Sequence, residues 1–115
     1  GIKCLTNLSD KFDEYFDTIS MFHVLEHMPD PLITLAKLHR SLKKDGKIIV
    51  EVPHANEFLL QDIAFCEDYK NFTLWSQHLI LHTRESLRAF LEKSGFRVDF
   101  ISGVQRYPLS NHLNW

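Results

Sequence analysis

Three residues capable of acid–base or metal chemistry lie close together in the first third of the chain. They are His23, Glu26 and His27, in the order H-x-x-E-H. If this segment is helical, the two histidines share one face. Such a group can exchange protons with a bound molecule, or bind a divalent metal ion, for which imidazole favours zinc, iron or nickel over magnesium. A third interpretation is that Glu26 and His27 form a hydrogen-bonded turn that only shapes a pocket.

Composition limits the kinds of partner that this cluster could serve. The chain has 115 residues, of which 44% are apolar and 24% charged, as expected for one small soluble domain. A formal net charge of −2 offers no basic field for phosphate backbones, so we expect no nucleic-acid partner. The sequence shows neither a run long enough to span a membrane nor a signal-like start, which predicts a cytoplasmic protein without a membrane partner.

The elements that must position the cluster are predicted to be two strands joined by a helix. Residues 16–24 form an apolar run typical of a strand covered on both faces. Asp30 predicts the N-cap of a helix, whose last turn includes Lys43 and Lys44 before Gly46 ends it. Residues 47–52 predict the next strand, and the short joints predict a parallel crossover.

The second half of the chain continues the alternation of helix and strand. Thr83 predicts the N-cap of another helix, and Gly95 its left-handed C-cap. Residues 97–102 predict a third strand and residues 104–107 a fourth. This pattern favours an open α/β sheet with helices on its faces.

The order of these signals resembles the distal half of a class I S-adenosylmethionine-dependent methyltransferase of the type 11, 12 and 23 groups. FDTISMFHVLEHMPDP (16–31) resembles the family's fourth strand and the loop after it. LHRSLKKDGKIIVEVP (38–53) resembles the following helix and fifth strand, and QHLILHTRESLRAFLEKSGFRVDFIS (77–102) the last helix and sixth strand. The resemblance implies a partial Rossmann-like methyltransferase fold of the α/β class, with strand order 4-5-7-6 and strand 7 antiparallel.

One part of the family pattern is missing. The family places a glycine-rich loop after its first strand, where glycine lets the backbone approach the cofactor closely. The four glycines of this chain form no G-x-G cluster. We therefore expect residues 1–115 to be a single partial methyltransferase domain that lacks the N-terminal glycine-rich half and is inactive alone. The exposed edge of its first strand would allow self-association.

The resemblance implies an S-adenosyl-L-methionine site beyond the carboxyl end of the first strand. His27 or His23 would act as general base toward the methyl acceptor, expected to be a small molecule or sugar. The residues implied to contact the cofactor are Phe22, His23, Val24 and Leu25. Those implied to face the substrate are His54, Trp75 and His78.

Two alternatives stay open. One is a degenerate, non-catalytic methyltransferase-like domain that binds other proteins. The other is a metal-assisted RNA 2′-O-methyltransferase, because such enzymes and ubiquinone-pathway O-methyltransferases carry E-x-x-E-H at this place and depend on a divalent metal. The implied ligands would be His23, Glu26, His27 and His78, with His23 in place of the first glutamate. The near-neutral charge argues against RNA.

Overall fold

The computed structural model describes residues 1, 4, 12–55 and 78–104. Trp75, with the rest of residues 56–77, and the part of the predicted fourth strand after Val104 lie outside the described residues. The elements in chain order are strand β1 (Phe16–Phe22), a 3-10 turn (Leu25–His27), helix α1 (Pro31–Ser41), strand β2 (Leu42–Glu51) and helix α2 (Arg84–Lys93).

The two strands form a parallel pair, as the sequence predicts. Ile19 pairs with Ile48, and the register continues to Phe22 opposite Glu51. Because parallel strands run in the same direction, their carboxyl ends meet at one edge of the sheet. The His23 backbone N–H extends the pairing there by donating to the Glu51 carbonyl oxygen at 2.9 Å.

Helix α1 is shorter than the sequence predicts, and β2 begins earlier. The helix ends at Ser41, so Lys43 and Lys44 do not occupy its last turn. They belong to a bulge, because the register jumps from Phe16 opposite Leu42 to Thr18 opposite Lys47. An added Cβ at Gly46 would lie 3.0 Å from the Lys43 carbonyl oxygen and 3.1 Å from that of Phe16, so this bulge favours glycine.

The capping contact at the N-terminus of α1 also differs from the prediction. Asp30 occupies the N-cap position, but its side chain makes no capping hydrogen bond. Its carbonyl oxygen accepts the Thr34 N–H at 3.1 Å, and Pro31 fills the first helical position.

The core lies on one face of the β1–β2 pair. Both helices contribute to it, and Ile48 and Val50 of β2 pack against it together with Val52, which follows the strand. Its buried members are Met21, Leu25, Leu35, Leu87 and Leu91. On the opposite face Phe22 and Ile49 are about half exposed, so the predicted cover on both faces is wrong for the described residues.

Helix α2 has the caps that its sequence predicts. Thr83 Oγ1 accepts the Ser86 N–H at 3.2 Å, and Ser86 Oγ accepts the Thr83 N–H at 2.9 Å, which forms a capping box. Gly95 has φ +98°, and the Phe96 N–H donates to the Leu91 carbonyl at 3.0 Å. These contacts form the left-handed C-terminal cap and stop the helix against α1.

The strand predicted over residues 97–102 does not form. Val98 packs against the core, but Phe100 is 81% exposed and the segment enters no ladder with any described residue. The strand order beyond the β1–β2 pair therefore stays a prediction. In the described ranges, neither helix has the length and apolar character needed to cross a bilayer.

His82 directly precedes the Thr83 cap of α2, and its side chain is buried. The ring is 1% exposed, lies edge-on to Phe90, and places Nδ1 3.3 Å from Ser86 Oγ. Burial lowers the pKa of His82 below its ordinary value, and the negative charge of Glu26 opposes this shift in part. The folded protein therefore favours the neutral imidazole.

The core gives a direct stability test. Replacing Leu35, which is fully buried, with alanine should lower the free energy of unfolding by about 2–5 kcal/mol, because the cavity cannot collapse completely. The matched change Ile33→Ala, at a position 57% exposed on the same helix, should stay within about 0.5 kcal/mol. Urea unfolding of both variants checks this, and equal losses would contradict the assignment of the core face.

His82 predicts a pH dependence of stability. Because the folded pKa lies below the unfolded value of 6.5, the unfolded chain takes up the proton more readily. The unfolding free energy should therefore fall as the pH drops below about 6.5. Urea unfolding near pH 7.5 and pH 5.5 should show a larger loss for the wild type than for His82→Gln. Parallel losses in the two proteins would contradict this prediction.

Candidate functional site

The candidate site begins where β1 ends. His23 follows the strand with φ +53°, a left-handed conformation that non-glycine residues adopt rarely and that often marks functional positions. This residue turns the chain out of the sheet into the 3-10 turn at Leu25. Because that turn starts only at Leu25, His23 and His27 do not share a helical face as the sequence suggested.

The His23 ring lies between two carboxylates. Its Nε2 is 3.0 Å from Oε1 of Glu51, and its Nδ1 is 3.4 Å from Oε1 of Glu26. Both ring nitrogens therefore face acidic groups, one from β2 and one from the 3-10 turn. Sequence reasoning missed Glu51. The available signal was a single acidic residue inside the apolar strand sequence KIIVEV, next to the strand's carboxyl end.

Glu26 is the most unusual residue of the site. Its side chain is 0% exposed, and neither carboxylate oxygen accepts a hydrogen bond from the described part of the chain. The nearest imidazole nitrogens are Nδ1 of His23 at 3.4 Å and Nε2 of His27 at 3.9 Å from Oε1. A buried carboxylate without hydrogen bonds is costly unless positive charge lies beside it.

The segment before α2 brings a third histidine, His78, close to this carboxylate. The N–H groups of Leu79 and Ile80 both donate to the Glu26 carbonyl oxygen, at 2.8 and 3.3 Å. This anchor places the His78 ring 4.9 Å from the His27 ring. One side-chain donor atom from each of Glu26, His27 and His78 lies within 4.8 Å of the others. His23 is directed toward Glu51 and does not join this cluster.

The other residues named by sequence reasoning fall into three groups. Phe22 and Val24 are exposed at the carboxyl edge, where a bound molecule can reach them. Leu25 is fully buried, so its side chain packs in the core instead of facing a ligand. His54 is exposed and forms a parallel bridge with His82, which borders the same cleft. Trp75 lies outside the described residues.

The arrangement can bind, orient and exchange protons at one edge of a parallel sheet. The exposed side chain of Phe22 lies beside imidazole and carboxylate groups, and together they line a single open cleft. Two imidazoles and one carboxylate could also hold a metal ion. None of these groups is glycine-rich backbone of the kind that cradles a nucleotide.

Comparison with known proteins identifies the family. Residues 5–99 match the family described as methyltransferase domain. The chain is also similar to proteins named ubiquinone biosynthesis O-methyltransferase. Identity is 25% over 118 residues with that of Pseudomonas syringae pv. tomato, covering 92% of this chain and 47% of the relative. It is 26% over 117 residues with that of Pseudomonas putida strain W619, covering 91% and 47%.

The chain thus spans about half the length of the curated relatives that it matches. No solved structure matches it. The family match nevertheless covers most of the sequence, and it includes both strands, both helices and every residue of the cluster around Glu26. The chain belongs to the class I S-adenosylmethionine-dependent methyltransferases.

Proposed function

We propose that the protein carrying this chain transfers a methyl group from S-adenosylmethionine to a hydroxyl oxygen of a small molecule or sugar. The family match over residues 5–99 carries this proposal. The names of the relatives, which are O-methyltransferases, support oxygen as the acceptor atom. The position of the polar cluster at the carboxyl ends of parallel strands agrees with where α/β sheets bind ligands.

The residues at this edge fit the methyl-bearing end of the cofactor. S-adenosylmethionine supplies, when bound, a methyl group on a positively charged sulfur. Phe22 and Val24 offer exposed apolar surface, and the hydrogen bonding of His23 to Glu51 fixes the backbone between them. The carboxylate of Glu51 adds negative charge beside this surface, which favours a cationic ligand.

The remainder of the cofactor site lies in sequence that this chain does not contain. The chain has no glycine-rich loop, and the curated relatives are about twice as long. We therefore propose that residues 1–115 supply the distal half of a methyltransferase domain. In this arrangement the chain alone has too few contacts to bind the nucleotide portion and is inactive.

His27 is the proposed proton acceptor for a hydroxyl substrate. The imidazole ring of His27 is partly exposed, whereas the side chain of Glu26 is fully buried. Oε1 of the Glu26 carboxylate lies 3.9 Å from Nε2 of His27. As the acceptor oxygen bonds to the methyl carbon, the bond from that carbon to sulfur breaks with its electron pair going to sulfur. The hydroxyl proton passes to the imidazole. His23 is less suited, because both its nitrogens face carboxylates.

A metal-assisted form of the same reaction is a second candidate. The buried carboxylate of Glu26, which accepts no hydrogen bond from the described residues, and the adjacent rings of His27 and His78 fit a divalent ion. Such an ion would lower the pKa of an acceptor hydroxyl and orient it, and His27 would then act as a ligand instead of a base. The net charge of −2 gives no support to RNA as the acceptor.

Cofactor binding tests the proposal. S-adenosylhomocysteine titrated by calorimetry should bind the full-length protein that carries this chain. Residues 1–115 alone should bind at least about tenfold more weakly, because a tenfold loss corresponds to only about 1.4 kcal/mol of missing contacts. Equal affinity would contradict the divided site. Absence of binding by the full-length protein would overturn the enzymatic proposal and favour a degenerate interaction domain.

Phe22 tests the location of the cofactor edge. In the full-length protein, Phe22→Ala should weaken S-adenosylhomocysteine binding about tenfold, because it removes exposed apolar contact area at the proposed site. The control Ile33→Ala removes an equally exposed apolar side chain from the outer face of α1 and should leave affinity unchanged. Calorimetry on both variants checks this. Unchanged affinity in Phe22→Ala would exclude this edge as the binding surface.

A further inference from the structure

The contacts between Glu51 and His23 support a further statement about the cofactor edge. It rests on the proposed function, because it concerns how the proposed cofactor surface is held in place. We propose that Glu51 is a positioning residue for cofactor binding and acts through His23. Its carboxylate holds the His23 ring, and the ring stabilises the left-handed backbone that sets how Phe22 and Val24 face a ligand.

The backbone of His23 is the first argument. Its φ of +53° lies in the left-handed region, which is unfavourable for residues with a Cβ because that atom approaches a carbonyl oxygen. Such a conformation persists only where surrounding contacts favour it. The turn out of β1 therefore depends on what holds His23, and the contacts of its ring are available for that purpose.

Glu51 contacts His23 twice, once through its backbone and once through its side chain. The Glu51 carbonyl oxygen accepts the His23 N–H at 2.9 Å. Its Oε1 lies 3.0 Å from His23 Nε2, within hydrogen-bond distance. The first contact continues the strand pairing and would form with any residue at position 51. The second depends on the side chain, so a substitution can remove it without breaking the pairing.

A second carboxylate limits the ring from its other side. His23 Nδ1 lies 3.4 Å from Oε1 of Glu26, whose side chain is fully buried in the 3-10 turn. The imidazole thus spans the distance from the end of β2 to that turn. A ring that is contacted at both nitrogens has few orientations left. It therefore connects the carboxyl end of β2 to the backbone that follows β1.

The consequence falls on the two apolar residues beside His23. Phe22 is 53% exposed and Val24 38% exposed. The strand register keeps Phe22 opposite Glu51, whereas Val24 lies after the left-handed residue and precedes the 3-10 turn. A change of the His23 dihedrals would therefore move Val24 relative to Phe22. Binding sites lose affinity when their residues are displaced by about an ångström, so the hold on His23 should affect cofactor binding.

The experiment measures S-adenosylhomocysteine affinity by calorimetry in the full-length protein that carries this chain. This ligand has no positive charge on sulfur, so its affinity reports positioning apart from the attraction of a carboxylate for the cationic cofactor. Glu51→Ala should weaken binding about tenfold. Glu51→Gln should stay within about twofold of the wild type, because its amide oxygen still accepts a hydrogen bond from Nε2. Equal losses in the two variants would indicate an effect of charge and overturn the proposal.

Substitutions at His23 test whether Glu51 acts through this residue. His23→Ala removes the ring and keeps the unfavourable dihedral, so it should weaken binding about tenfold. His23→Gly should bind more tightly than His23→Ala, because glycine adopts the left-handed conformation without strain. Adding Glu51→Ala to His23→Gly should change affinity by less than about twofold. A further tenfold loss in this double variant, about 1.4 kcal/mol, would show that Glu51 acts independently and overturn the proposal.

Glu92→Ala is the matched control, because Glu92 is an exposed carboxylate that pairs with Arg88 on α2, away from this edge. A loss equal to that of Glu51→Ala would contradict the proposal. Circular dichroism checks that each variant folds, and if Glu51→Ala does not, the order of affinities of the two His23 variants decides. Wild-type binding with unchanged affinity in Glu51→Ala would overturn this inference and leave the proposed function intact. Absence of wild-type binding would overturn both.

Discussion

The parallel pairing of β1 with β2 is the constraint on which the site depends. Its register places Phe22 beside Glu51, and the next residue, His23, continues the pairing through its backbone N–H. A register slip would move Glu51 away from the His23 ring and turn alternate side chains to the other face. The buried core, which includes Met21 and Leu91, packs against one face of this strand pair and fixes its register. It therefore also fixes the geometry of the polar edge.

The buried carboxylate of Glu26 links the polar edge to the rest of the fold. Burial lowers the pKa of His82, and the negative charge of Glu26 raises it by a smaller amount. The start of α2 is therefore coupled electrostatically to the 3-10 turn. The Glu26 carbonyl oxygen accepts two N–H groups from the segment that leads into that helix. Glu26 thus connects both halves of the described chain. Its backbone carbonyl does so through hydrogen bonds, whereas its side-chain carboxylate accepts none from the described residues.

Local signals in the sequence predicted the local structure. The strand–helix–strand unit and both caps of α2, at Thr83 and Gly95, follow from residue types whose preferences act over a few positions. The bulge after Ser41 was missed because DG normally signals the end of a helix, while tertiary pairing with β1 extended the strand through it. The prediction of a strand over residues 97–102 was wrong because of missing tertiary pairing. The sequence suits a strand, but no described residue pairs with it.

The site was harder to predict because its geometry comes from distant parts of the chain. The H-x-x-E-H spacing identified three relevant residues, but the left-handed backbone at His23 turned its ring toward Glu51. Glu51 on the neighbouring strand engages Nε2 of His23, so this ring lies apart from the group formed by Glu26, His27 and His78. The position of the His23 ring therefore depends on the strand register, which places Glu51 opposite Phe22, one residue before His23.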